Sequence, residues 1–285
     1  MNNQIGAEMI DFPDISLTTW QPTRDQLHDY IKLVGAVRSV LTPPQRHWGH
    51  FSLFVSSAGL TTSPIPTGSR TFELDLDLRR HGLSVETSGG ETAYFRLHGQ
   101  SAERLSADLQ AFLGSLGIHA ELDPDLIGRS DGVYDAQAIG RYWQALAQLD
   151  ILLKQFSGEL RRGAGTVRLW PHHFDLAVFW LSGRCIPGED SDDEDNADER
   201  MNFGFSTGDD SIAEPYLYAT AYPLPPELPR AELPPGARWQ TEGWQGAVFP
   251  YAELVGVADA QERVLSFLRG MQDLGERYMT PVSYE

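Results

Sequence analysis

The stretch richest in chemically versatile side chains in this 285-residue sequence is LWPHHFDLAVFW, residues 169–180, where two histidines and an aspartate interrupt an apolar run. Imidazole and carboxylate groups act as general bases and also ligate zinc or non-haem iron. His172, His173 and Asp175 are therefore candidate metal ligands, and His173 with Asp175 is the candidate catalytic pair. The same side chains are also compatible with a purely structural patch in a strand.

The spacing of these residues limits what a single strand can do with them. An extended strand places His173 and Asp175 on one face and His172 on the other, because successive side chains alternate. A flat strand cannot direct all three groups at one metal ion, whereas a bulge beside Pro171 would allow it. Without a bulge the functional unit is His173 with Asp175, since a nearby carboxylate orients an imidazole and raises its basicity.

A metal ion held by this pair would need a further ligand from elsewhere in the chain. Glu214 and Glu242 are the candidate carboxylates, and His47 is a candidate from the first half of the sequence. Two nitrogens with one carboxylate suit zinc or iron, so a divalent metal of this kind is the cofactor to consider. The sequence contains no HExxH, CxxC or Gly-rich phosphate loop motif, which leaves the cofactor itself unidentified.

A short internal repeat changes how the histidine stretch is interpreted. HFSLFV at 50–55 and HFDLAV at 173–178 agree at four of six positions. His50 stands where the second copy has His173, and Ser52 stands where it has Asp175. The shared histidine fits a structural role common to both copies, whereas Asp175 is the residue that would give the second copy a catalytic or metal-binding role.

Helical patterns precede and follow both copies. Before the first copy, Thr23 is the predicted N-cap of an amphipathic helix that Pro43 and the next proline end. Before the second copy, Asp135 is the predicted N-cap of another. Apolar stripes at 105–116 and 264–274 predict one further helix in each half.

Alternating strands lie between the helices of each half, so the sequence predicts an α+β fold with antiparallel sheets. We expect a tandem duplicated unit of helix, antiparallel strands and helix, forming one globular body around a pseudo-twofold axis. Residues 1–130 would form the first half and residues 131–285 the second, folded together as one compact domain. The second half carries an acidic insertion at 188–199 and a segment rich in proline and tryptophan at 223–250.

Composition narrows the classes of partner. The net charge of −18 would repel nucleic acid, so we expect no nucleic-acid partner. No apolar run approaches the roughly 18 residues of a membrane span, so we expect no membrane partner. The start of the chain shows no secretory signal, and the lone cysteine, Cys185, rules out a disulfide within the chain. These features predict a cytoplasmic protein.

Several longer motifs resemble a family of uncharacterised, mainly bacterial proteins known only as a domain of unknown function. The motifs are FPDISLTTW, LWPHHFDLAVFW, MNFGFSTGD, EPYLYATAYPLP and TEGWQGAVFPY, and they span nearly the whole chain. The resemblance implies one family unit and assigns no activity. Besides the histidine stretch, the motif positions that we take as candidate ligand-binding residues are Trp170, Phe203, Glu214, Tyr216, Glu242 and Trp244.

Three hypotheses about function remain open at the level of the sequence. The first is binding of a small molecule in an aromatic-lined cleft between the halves, near the strand that carries His173 and Asp175. The second is a metal-dependent hydrolase or oxygenase that uses these residues, His172 and a glutamate. The third is an interaction scaffold that uses the acidic loop at 188–199.

Overall fold

The computed structural model describes residues 11–160, 163–193 and 196–279. Within these ranges the chain forms four α-helices and twelve strands. The helices are α1 (Leu17–Leu41), α2 (Ala102–Ser115), α3 (Ala136–Glu159) and α4 (Ala260–Met279). None of the helices in the described part of the chain is both long and apolar enough to cross a lipid bilayer.

The strands form two antiparallel sheets of six strands each, which confirms the predicted α+β class. The first sheet contains β1 (Phe54–Val55), β2 (Gly59–Thr61), β3 (Ile65–Thr67), β4 (Arg70–Asp77), β5 (Gly82–Thr87) and β6 (Thr92–Arg96). The second contains β7 (Arg168–Trp170), β8 (Asp175–Cys185), β9 (Asp198–Ser206), β10 (Tyr216–Tyr222), β11 (Arg238–Gln240) and β12 (Gly246–Pro250).

The order of strands differs between the two sheets. The first runs β1-β2-β4-β5-β6 with β3 also paired to β4, and the second runs β11-β12-β10-β9-β8-β7. The strand β6 lies at the end of the first sheet beside β5, whereas β10 lies inside the second sheet between β9 and β12. The two halves therefore share the order helix, six strands, helix, while their strand pairing differs.

The two sheets meet at one point beside α1. Leu53, just before β1, and Leu169 of β7 exchange two backbone hydrogen bonds, of 2.8 and 2.9 Å. Next to this bridge, the guanidinium groups of Arg38 and Arg168 lie 5.3 and 5.6 Å from the centre of the Phe54 ring. Apolar side chains buried in both halves belong to one hydrophobic cluster. The halves therefore pack together through a shared core.

The start of α3 was predicted correctly from the local sequence, whereas the start of α1 was not. Asp135 caps α3 as predicted, because its carboxylate accepts from the backbone N–H groups of Gln137 and Ala138 at 2.8 and 3.2 Å. The prediction of Thr23 as the cap of α1 is wrong, since α1 begins at Leu17 and Thr23 lies buried within it. The carboxylate of Glu214 accepts from the Leu17 N–H at 3.3 Å and so satisfies a donor at the true start.

Candidate functional site

The stretch LWPHHFDLAVFW forms a hairpin and not a single strand. Trp170 at the end of β7 pairs with Asp175 at the start of β8, and residues 171–174 form the turn between them. The prediction that strand alternation places the two histidines is therefore wrong, because both lie in the turn and are exposed. Only the aspartate of the trio enters the sheet, at a buried position.

Phe174 holds the turn in place. Its φ of 56° lies in the left-handed region, which is costly for a bulky residue and reverses the chain here. The buried ring stacks on His28 at 5.1 Å and meets Tyr142 edge-on at 5.3 Å, between α1 and α3. The Nε2–H of His28 donates to the Pro171 carbonyl at 2.8 Å. Burial lowers the pKa of His28 to about 4, so this ring is neutral at physiological pH.

Beside the hairpin, the second sheet carries an open cavity of about 280 Å³, which we call the Asp175 pocket. It lies on the face opposite α3, because Asn202 lines it while its neighbour Phe203 packs against Phe156 of α3 at 4.9 Å. Rings and hydrogen-bonding groups share the wall of the pocket. These side chains are Trp170, His173, Phe179, Tyr218, Thr166, Asn202 and Thr220, together with Asp175.

Asp175 is the chemically unusual member of this wall. Its side chain is buried, and the Tyr218 hydroxyl donates a hydrogen bond to Oδ2. Oδ1 is also buried and has no hydrogen-bond partner. Burial raises the pKa of Asp175, against the opposing effects of the Tyr218 hydrogen bond and the positive charge that His173 can carry. Burial and the neighbouring carboxylate raise the pKa of Tyr218, so its hydroxyl keeps its proton.

Gly204 makes the contact between Tyr218 and Asp175 possible. Tyr218 on β10 lies opposite Gly204 on β9, which lies opposite Ala177 on β8. The tyrosine must therefore cross β9 to reach the aspartate. A Cβ at position 204 would lie 2.6 Å from Cζ of Tyr218 and 2.7 Å from the Leu176 carbonyl oxygen, closer than real side chains approach. The absence of a side chain at Gly204 opens the path for the phenol.

Tyr216 and Trp244 stand behind Tyr218. The Trp244 ring stacks on Tyr216 at 5.9 Å and meets Tyr218 edge-on at 6.3 Å. The Tyr216 hydroxyl donates to the carboxylate of Asp209, which fixes that ring. Neither residue is among the side chains that line the Asp175 pocket. These two candidate ligand-binding residues thus position Tyr218 and do not face the cavity.

The remaining candidates lie elsewhere. Phe203 points into the core, and Glu214 satisfies the start of α1. Glu242 is exposed in a loop, where its backbone carbonyl accepts from Gln240 at 2.6 Å. His172 lines a separate depression of about 200 Å³, where its ring lies 5.5 Å from Phe51. Of the predicted ligand-binding set, the structure brings only Trp170 to the pocket.

The predicted metal ligands do not come together. Among the residues that the structure describes, no three histidine, cysteine, aspartate or glutamate side chains are grouped as a metal ion requires. His172 and His173 face different depressions, and neither Glu214 nor Glu242 lines the Asp175 pocket. His47 does approach from the first half, with its ring 5.1 Å from that of Phe179 and its Nε2 3.5 Å from the carboxylate of Asp198.

Tyr218 and Gly204 were not among the predicted site residues. The alternating pattern of EPYLYAT puts Tyr216, Tyr218 and Thr220 on one face of a strand, and this part of the arrangement is legible in the sequence. The partner of Tyr218 is not, because it depends on the register of three strands. Gly204, inside a strand, is the second available signal, since such a glycine often marks a close approach.

Comparison with known proteins places the chain in a family. It belongs to DUF5996, a family of unknown function, whose sequence pattern it matches over residues 12–276. No curated protein and no solved structure matches it.

Proposed function

We propose that this member of a family of unknown function binds a small molecule in the Asp175 pocket. The observation that carries the proposal is the buried carboxyl group of Asp175, whose Oδ1 has no hydrogen-bond partner in the wall of an open cavity. A buried acceptor left unpaired costs about 1–3 kcal/mol, and such groups in clefts are frequent at binding sites. A ligand that drew the carboxyl group towards the cavity and donated to Oδ1 would recover this free energy.

The composition of the wall supports the same proposal. Ligand pockets combine apolar rings with a few polar groups that fix orientation. Here Trp170 and Phe179 supply rings, while Asn202 and Thr220 supply hydrogen-bonding groups beside Asp175. The volume of about 280 Å³ lies just below the usual range of about 300–1,000 Å³ for small-molecule sites and suits a compact ligand. The hydrolase or oxygenase hypothesis depends on a third metal ligand, and none is grouped with His173 and Asp175 in the part of the chain that the structure describes, whereas binding needs none.

The test is a pocket-filling substitution with a matched control. Ala177 lines the Asp175 pocket, so Ala177→Leu places an isobutyl group in the cavity. Ala107→Leu makes the same change in a depression of about 450 Å³ on α2. Both variants are screened by ligand-observed NMR against a mixture of small monocyclic compounds carrying amines, alcohols, amides or carboxylates.

We expect the wild type and Ala107→Leu to bind the same compounds and Ala177→Leu to lose them while keeping its melting temperature within a few degrees. Compounds that bind all three proteins equally well would contradict the proposal. So would the absence of any compound that binds the wild type.

We also propose that the two halves descend from a duplicated unit related by a pseudo-twofold axis. Two features support this: each half runs helix, six strands, helix, and both copies of the His-Phe motif lie shortly before a strand, the first at the end of a 3-10 helix (Arg46–Phe51) and the second in the turn before β8. In the first copy Ser52 is buried where the second has Asp175. The relation is tested by superposing the two halves of an experimental structure, with residues 50–55 and the first sheet placed on residues 173–178 and the second sheet. If the flanking helices of the two halves do not coincide, the relation is refuted.

A further inference from the structure

We infer that the group recognised by the Asp175 pocket is an ammonium cation, a protonated amine carried on a small, partly apolar molecule. The inference rests on the proposed function, because it identifies the ligand class of the same site. Three features of the pocket point to it independently: a free acceptor, the balance of charge in the wall, and the rings around it.

The free acceptor is Oδ1 of Asp175. Oδ2 already accepts from the Tyr218 hydroxyl, whereas Oδ1 has no donor and lies just beneath the surface of the cavity, so a ligand reaches it when the carboxyl group turns towards the cavity. An ammonium group carries donors only and a full positive charge. It therefore meets both needs of a buried carboxylate, a hydrogen bond and a counter-charge, and charge-assisted hydrogen bonds of this kind are the strongest in proteins.

The charge of the wall also favours a cation. Among the residues that the structure describes, Asp175 is the one carboxyl group that lines the pocket, and His173 is the one side chain there that can carry a positive charge. The nearby Arg24 lies on the other side of the hairpin, over the Phe174 ring at 5.5 Å, and donates to the Gly208 carbonyl at 2.9 Å. An anionic ligand would meet the buried carboxyl group with only the exposed imidazole of His173 in the described wall to offset the repulsion.

The rings supply the third feature. Trp170, Phe179 and Tyr218 all line the cavity that Asp175 lines. The faces of aromatic rings carry negative partial charge and attract cations, most strongly when water is excluded. Rings beside one carboxylate are the combination that holds an ammonium head group together with its apolar substituent. A neutral ligand would gain the apolar contact without the attraction to the carboxylate.

A charge series of similar shape tests this inference. Benzylamine, benzyl alcohol and benzoate are titrated by calorimetry against wild type, Asp175→Asn and Ala177→Leu. Asp150→Asn is the matched control, because Asp150 on α3 also has a buried Oδ1 without a hydrogen-bond partner and does not line the pocket. We expect benzylamine to bind the wild type and Asp150→Asn about tenfold or more tightly than benzyl alcohol does, and benzoate not to bind.

Asp175→Asn should reduce benzylamine to the affinity of benzyl alcohol, and Ala177→Leu should abolish both. Equal binding of benzylamine and benzyl alcohol to wild type, with loss of both in Ala177→Leu, would overturn the ammonium inference and leave the proposed function standing. Benzylamine binding that survives in Asp175→Asn would overturn it as well. If no probe distinguishes wild type from Ala177→Leu and the ligand-observed NMR screen also finds no compound that binds the wild type, both proposals fail.

Discussion

Replacing Asp175 by asparagine should stabilise the protein increasingly as the pH rises. Burial raises the pKa of the Asp175 carboxyl group in the folded protein above its value in the unfolded chain, about 3.9 for an ordinary aspartate. Asparagine has nearly the same shape and keeps an oxygen that can accept from the Tyr218 hydroxyl. It cannot ionise, so it removes the cost of holding a buried carboxylate.

The sign and size follow from proton linkage. Between the unfolded and folded pKa values, the folded wild type holds one more proton than the unfolded chain. Its free energy of unfolding therefore falls by about 1.4 kcal/mol for each pH unit in that window. Stability that is present below the unfolded pKa is lost as the pH rises through the folded pKa. We therefore expect Asp175→Asn to gain on the wild type between pH 4 and pH 8, by about 1.4 kcal/mol for each pH unit that lies below the folded pKa of Asp175.

The assay is urea unfolding of both proteins at intervals of one pH unit from 4 to 8. Glu159→Gln is the control of opposite sign, because Arg269 donates to the Glu159 carboxylate at 2.7 and 2.8 Å and lowers its pKa. Relative to the wild type, the free energy of unfolding of Glu159→Gln should fall as the pH rises. The fall should be small because the pair is exposed. Parallel curves for wild type and Asp175→Asn, or a deficit of the variant that grows with pH, would refute the reasoning.

Three further substitutions test how the site is built. Gly204→Ala should destabilise the protein by about 1–3 kcal/mol in urea unfolding, since the new methyl overlaps the Tyr218 ring, and it should also weaken amine binding. Tyr218→Phe keeps the ring but removes the donor to Asp175, and should cost about 1–3 kcal/mol at pH 8 and less at pH 4. Phe174→Ala should cost about 3–5 kcal/mol, and NMR titration should show the pKa of His28 rising from about 4 towards its ordinary value. An unchanged His28 titration in a folded Phe174→Ala would contradict the role of that ring in burying the imidazole.

Features set by neighbours along the chain were predictable from the sequence. The cap at Asp135, the apolar stripes of the helices and the antiparallel sheets all follow from local periodicity, and the structure confirms them. The start of α1 was not predictable in this way. Its donor at Leu17 is satisfied by Glu214, which is 197 residues away in sequence. The local capping signal at Thr23 was overridden, and the hydroxyl there accepts from the Asp135 N–H at 3.1 Å instead.

The hairpin was mispredicted for a different physical reason. Alternation along LWPHHFDLAVFW is consistent with one continuous strand, and nothing local distinguishes that strand from two shorter ones with a turn. The turn exists because Phe174 adopts a left-handed conformation, and the stacking of its ring on His28 compensates the cost. His28 belongs to α1, so the conformation of the second hairpin depends on a helix from the first half of the chain.

The candidate site shows the same limit at the level of side chains. In a sequence, a functional site is predicted from polar residues that are adjacent along the chain, which here are His172, His173 and Asp175. In the folded chain the partner of Asp175 is Tyr218, 43 residues away, and the two meet only because Gly204 lies between them in register. A register error of one residue on β9 would put a side chain under the phenol and turn the face of the strand over. The chemistry of the pocket is therefore a property of three paired strands, and the identity of residue 204 matters to it as much as that of the aspartate.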